Sequence, residues 1–77
     1  MNEFLLRARI RELVKAGIVP CDEPDKVWAG RGTGTHCVAC GEPITPSEVE
    51  YEIELAATSY RLHRGCFTHW RAVCEEA

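Results

Sequence analysis

The sequence predicts a small α+β domain stapled by one metal ion, and three observations predict it. An apolar period of three and four residues runs along the first sixteen positions. Strict alternation runs from Val49 to Leu55. Four soft side chains stand as C-x2-C (Cys37, Cys40) and H-x2-C (His63, Cys66), with 22 residues between the pairs. At 77 residues the chain is near the size at which an unaided core supplies only about 3–5 kcal/mol, so a staple is expected. Residues 1–77 read as one domain: a helix over 2–17, a Gly/Pro connector over 18–36, and a metal-bound finger over 37–77.

In the helix, Asn2 can cap the N-terminus and Glu3 suits the positive end of the dipole. Gly17 followed by Ile18, Val19 and Pro20 supplies the stop. Leu6, Ile10, Leu13 and Val14 share one face, which should pack on the rest of the domain. Arg7, Arg11 and Lys15 lie four apart along its edge. This stripe reads as a solvated edge, with Glu3 offsetting Arg7, or as the seat of an anionic partner; the first is the commoner case.

The connector holds two prolines, an acidic cluster (Asp22, Glu23, Asp25), Trp28, and the alternating glycines Gly30, Gly32 and Gly34. G-x-G-x-G is not read as a phosphate loop, because no strand precedes it and a metal turn rather than a helix follows. The glycines should let the backbone run close to the domain or form an irregular edge strand, with the Trp28 ring buried as an anchor.

Cys37-Val38-Ala39-Cys40-Gly41 reads as a metal knuckle, two thiolates flanking a tight turn in which Gly41 takes positive φ. Gly41 and Pro43 forbid a helix there, which excludes a redox C-x2-C placed at a helix N-terminus. Val49 to Leu55 is a strand with one buried face and a row of glutamates on the other. Ala56 to Ser59 make the turn and Tyr60 to Leu62 a short return strand. His63 then opens a helix that keeps Cys66, Trp70 and Val73 inward, and His63 and Cys66, three apart, point the same way.

Knuckle, hairpin, then a helix whose first turn brings the second ligand pair: this order resembles the treble-clef zinc finger. The spacing C-x2-C-x22-H-x2-C followed by Phe67 is similar to the first half of a LIM domain, over residues 37 to 67. A LIM domain continues into a second ligand set, whereas here His69 and Cys74 are followed by only three residues, so a second zinc is not expected. The wider pattern from Trp28 to Trp70, W-x-G-x-G-x-G-x2-C-x2-C with H-x2-C-F-x2-W, resembles small uncharacterised bacterial zinc-finger-like proteins. That resemblance implies a fold and no activity.

One structural zinc on Cys37, Cys40, His63 and Cys66 is therefore expected, with iron as the main alternative metal. All four positions are protein side chains, which leaves no open site for water. His36 and His69 are the substitute ligands, less well spaced. Cys74 reads as a small core residue and Cys21 as a connector thiol. Five cysteines are an odd number, and C-x2-C with H-x2-C is metal spacing, so a disulfide framework is the poorer reading and a reducing, cytoplasmic setting is expected. No apolar run approaches the about 20 residues that cross a bilayer.

Glu48, Glu50, Glu52 and Glu54 face solvent in this reading, with no nucleophile or oxyanion donor opposite, so no catalytic site and no small-molecule substrate are expected. The formal charge of −3 disfavours a nucleic-acid binder, whose domain pI usually exceeds about 9. The function expected is a noncatalytic module that meets a protein partner through the first helix, the glycine connector or the acidic hairpin face. The alternative is a nucleic-acid-binding or regulatory finger using Arg7, Arg11, Lys15, Arg61, Arg64 and Arg71 on phosphates.

Overall fold

The computed structural model describes residues 2–76, in the order α1 (Glu3–Lys15), β1 (Lys26–Arg31), β2 (Val49–Leu55), β3 (Thr58–His63) and α2 (Arg64–Glu75). The strands form one antiparallel sheet with β2 in the centre. Helix α2 packs on β2 and β3, and α1 packs on α2. It is an α+β fold of two helices and three strands.

Asn2 caps α1 as its residue type dictates: the side-chain oxygen accepts the Leu5 N–H at 2.8 Å. The helix ends at Ala16, and the Ile18 N–H returns to the Leu13 carbonyl at 2.9 Å. Ile10 carries the apolar face into the core beside Ile53, Leu62 and the fully buried Trp70. The arginine stripe is a fastening between helices: Arg7 donates to His69 Nδ1 at 3.0 Å, and Arg11 grips Glu76 through two nitrogens at 2.9 and 2.8 Å.

In the hairpin, a two-residue turn joins β2 to β3, with Ala56 and Ala57 both at positive φ (49° and 68°). The turn is tighter than the four residues expected, and alanine in this region costs about 1–2 kcal/mol per residue. On β2, Ile53 and Leu55 are buried and Val49 is exposed.

Three expectations need correction. The connector's edge strand, β1, is regular and not irregular, in register with residues 49–54 of β2. Among its glycines only Gly32 makes the close approach: a Cβ there would lie 2.0 Å from the Thr45 carbonyl oxygen. Trp28 is no buried anchor, since β1 is exposed along its whole length and the Trp28 side chain is 47% exposed. Cys21 and Cys74 are not separate thiols; they form a disulfide across a separation of 53 residues. The reason lies in the connector's path along α2. The Trp70 Nε1–H donates to the Pro20 carbonyl at 3.0 Å and Arg71 pairs with Glu23 at 2.7 Å, which lays residue 21 against residue 74. In the chain-entropy account a bond across such a loop contributes about 4 kcal/mol.

The glutamate row is the fourth correction. Glu50 is only 5% exposed, because the Thr33 N–H and hydroxyl donate to one of its oxygens (3.0 and 2.8 Å) and the Arg61 guanidinium pairs with the other. Burial alone would raise this carboxyl; the Thr33 and Arg61 bonds outweigh it and hold it below its ordinary value. A depressed folded value means stability that is present above the unfolded carboxyl value, about 4.3, and is lost as pH falls through the folded one. Glu50→Gln is expected to cost about 1–3 kcal/mol at neutral pH. Its difference from the parent in denaturation midpoint should hold steady above about pH 5 and shrink below about pH 4. A difference unchanged at pH 3 would show that the carboxylate charge is irrelevant.

Candidate metal centre

Four side chains from three elements converge at the base of the hairpin. Cys37 and Cys40 lie on the knuckle, His63 ends β3 and caps α2, and Cys66 sits in the first turn of α2. The knuckle closes on itself: Cys37 N–H donates to the Glu42 carbonyl at 2.8 Å, and Gly41, at φ +80°, donates to the Cys37 carbonyl at 2.9 Å. Positive φ is open to glycine and costly for other residues, which is why this turn needs Gly41. The Val38 N–H reaches the Arg61 carbonyl at 2.9 Å, and Arg9 donates to the Ala39 carbonyl at 2.6 Å, so β3 and α1 both hold the knuckle in place.

The one ligand atom each side chain offers lies within 4.8 Å of all the others. Cys40 Sγ is 3.4 Å and Cys66 Sγ 4.0 Å from His63 Nδ1. A tetrahedral site with N and S ligands at their usual bond lengths has an S···N edge of about 3.6 Å, which lies between these two distances. The donor set and spacing are those of a site able to hold one metal ion. Cys37 is buried, Cys66 is 5% exposed, and Cys40 and His63 are half-buried. A hollow of about 400 Å³ opens beside them, lined also by Glu42, Glu48 and His69.

His63 is oriented from its far side. Its Nε2 is 3.3 Å from Glu48 Oε1 and 3.3 Å from the Pro43 carbonyl, so the Nε2–H is donated there and the Nδ1 lone pair is turned to the thiols. Glu48 is itself fixed, accepting the Thr45 N–H at 2.9 Å and hydroxyl at 3.1 Å. Those Thr45 bonds, led by the N–H and joined by the charge of His63, hold the Glu48 carboxyl below its ordinary value. It is a carboxylate at neutral pH.

The cysteines are polarised against one another. A hydrogen bond from the Cys66 thiol, aided by the N–H groups of Cys40 and His63, holds Cys37 down to about 4 against the opposing effect of burial. Cys66 is pushed far up by giving that hydrogen bond and by burial, and Cys40 is raised chiefly by burial. For His63, burial lowers the imidazole, but the bond to and charge of Cys37, with Glu48 and Pro43, raise it overall. A ready thiolate at Cys37 is the form in which sulfur binds a metal.

The substitute ligands stand outside the four-residue cluster and are otherwise engaged. His36 Nδ1 bonds the Gly41 carbonyl at 2.8 Å, and His69 accepts from Arg7. Of the six cations considered for phosphates, four are engaged by the chain's own carboxylates: Arg7 by Glu3, Arg11 by Glu76, Arg61 by Glu50 and Glu52, and Arg71 by Glu23. Sequence reasoning missed Glu48 and Arg9. The T-x-x-E pattern at Thr45–Glu48, which marks a side chain folding back on a backbone N–H, was the available signal for Glu48. Nothing in the sequence marks Arg9.

No helix among the described residues is long and apolar enough to cross a membrane. Compared with protein-family models, curated proteins and solved structures, the chain finds no match.

Proposed function

We propose that this chain is a zinc-stapled, noncatalytic interaction module of treble-clef type, with one structural ion on Cys37, Cys40, His63 and Cys66. The observation that carries the reading is the convergence of three sulfurs and one imidazole nitrogen within 4.8 Å at a turn–hairpin–helix junction. Three thiolates and a histidine favour zinc over hard cations, and four protein donors leave no position for an activated water. The likeness to the first half of a LIM domain is part of this proposal. The carboxylates do not assemble a reaction centre: Glu50 is neutralised by Arg61, and Glu48 serves His63. With four of the six candidate phosphate-binding cations already paired, a protein partner is the better reading than nucleic acid.

A cytoplasmic setting belongs to this proposal because it keeps three ligand thiols reduced. The Cys21–Cys74 bond weighs the other way, since a glutathione pool opens disulfides whose potential lies above about −300 mV. Trapping thiols in lysate by alkylation, followed by intact mass, reads which state the chain holds.

Metal analysis of the chain purified without chelator should find one zinc per molecule, and iron or no metal would remove the reading. Titration with random duplex or single strands at low salt should give no binding; tight binding with a steep salt slope would transfer the chain to the nucleic-acid class. Glu48→Ala is expected to lower zinc affinity about 10–100-fold, read by competition with a chromophoric chelator, and Glu48→Gln should lose less because its amide oxygen can still accept the Nε2–H. Equal affinities in all three proteins would show that Glu48 does not orient the ligand.

A further inference from the structure

β1 is exposed at every residue and packs on β2 alone; neither helix of the described residues covers it. Its outer edge pairs with no strand among the described residues. Gly32 donates to the Glu48 carbonyl at 3.0 Å and the register sets Gly30 opposite Glu50 and Trp28 opposite Glu52, so the even positions bond β2. Val27, Ala29 and Arg31 therefore turn their N–H and C=O groups outward.

Alternation puts Lys26, Trp28 and Gly30 on one face with Glu50 and Glu52. A hollow of about 210 Å³ lies on that face, walled by Trp28, with Glu50, Glu52 and Arg61 in its lining and open space over Gly30. Two cations of this strand, Lys26 and Arg31, form no ion pair among the described residues. Asp25, just before the strand, accepts only the Ala56 N–H, through Oδ2 at 3.2 Å, and its other oxygen has no partner among the described residues.

We propose that β1 is the joint of a homodimer, in which two copies pair edge to edge and antiparallel about a two-fold axis at Trp28, making one six-stranded sheet. In that register Trp28 meets Trp28 of the second copy across a pair without hydrogen bonds, where side chains lie closest. Val27 and Ala29 exchange backbone bonds with Ala29 and Val27 of the second copy. Lys26 lies opposite Gly30 of the second copy, where the missing side chain admits its stem towards the carboxylate of Glu50, which the register sets behind Gly30. Arg31 lies opposite Asp25 of the second copy, on the other face. Arg31 and Asp25 thus each find the opposite charge in the same edge turned about the axis, the self-complementarity that a two-fold joint requires. The occupant is a second copy for that reason: a foreign strand would have to supply a cation, an indole-sized contact and a carboxylate in this one order. A single strand edge buries less than the about 1,200 Å² of a stable complex, so the dimer forms in proportion to concentration.

The inference rests on the sheet and not on the metal reading, and zinc content measured on the same sample keeps the two apart. Sedimentation equilibrium of the full, metal-loaded chain should show a mass rising from 8.6 kDa towards twice that value as concentration increases. Ala29→Pro removes an outward N–H without touching a bond to β2 and should stay at the single-chain mass. Arg31→Asp and Asp25→Arg should each weaken association about ten-fold, and the double variant, which restores the pair with its charges exchanged, should regain it. A parent chain at 8.6 kDa throughout, an Ala29→Pro variant that still dimerises, or a double variant weaker than either single one would overturn the proposal.

Discussion

Stripping the ion with a strong chelator is expected to abolish the cooperative fold of the hairpin and α2, and Cys66→Ser is expected to do the same in the presence of zinc. Structural zinc sites contribute about 10–16 kcal/mol of apparent binding free energy, whereas domains as a whole are stable by about 5–15 kcal/mol. The two ranges overlap, so losing a zinc ion from this site is expected to remove about as much stability as the domain holds. The disulfide contributes about 4 kcal/mol through the unfolded state, and it ties the connector to the far end of α2 and not to the knuckle. It should therefore leave residual helix in the metal-free chain without restoring the sheet. Near-UV circular dichroism and a thermal melt, with and without chelator, read the difference. A metal-free chain that melts in one sharp transition at the parent temperature would remove zinc from the account of stability. Replacing His69 in parallel should leave metal binding nearly intact, since its Nδ1 is taken by Arg7 and the ring is not one of the four clustered donors.

Trp70→Ala should cost about 3–5 kcal/mol, the largest expected effect of any substitution away from the metal. The ring is fully buried among Ile10, Ile53 and Leu62, stands 5.7 Å from Phe67, and has the Arg71 guanidinium 5.1 Å from its centre. It also holds the Pro20 carbonyl through Nε1, which is what brings the connector to α2. Trp70→Phe separates the two roles. It keeps most of the packing and loses the hydrogen bond, so its cost should be nearer 1–2 kcal/mol, about 1 of it from the lost bond. Emission gives an independent check: with Trp70 replaced by Phe, only the half-exposed Trp28 remains, and the spectrum should shift towards that of indole in water. A Trp70→Ala chain as stable as its parent would mean that the core lies elsewhere.

The first helix, the hairpin and the second helix were legible because each depends on neighbours in sequence. Asn2 caps the helix it begins, residues 49–55 alternate whatever covers them, and the knuckle and H-x2-C each present two donors within four residues. The same locality explains the misreadings. Trp28 looked like an anchor because large aromatics are usually buried, yet α2 spans only β2 and β3 and leaves β1 uncovered. Glu50 looked solvated because its neighbours in the pattern are glutamates; Thr33, 17 residues earlier, and Arg61, 11 later, are what bury it. Glu48 was placed in a surface row, and besides being exposed it orients the imidazole of His63, 15 residues on.

By itself, then, the sequence determined the four candidate ligands, the helix faces and the hairpin, because capping, periodicity and ligand spacing act over a few residues and need no knowledge of what packs above them. Only the tertiary structure decided the Cys21–Cys74 bond, the burial of Glu50 and the bare edge of β1. Each of these depends on which distant surfaces the closed loops bring together, and a contact between remote segments leaves no periodic trace in either of them.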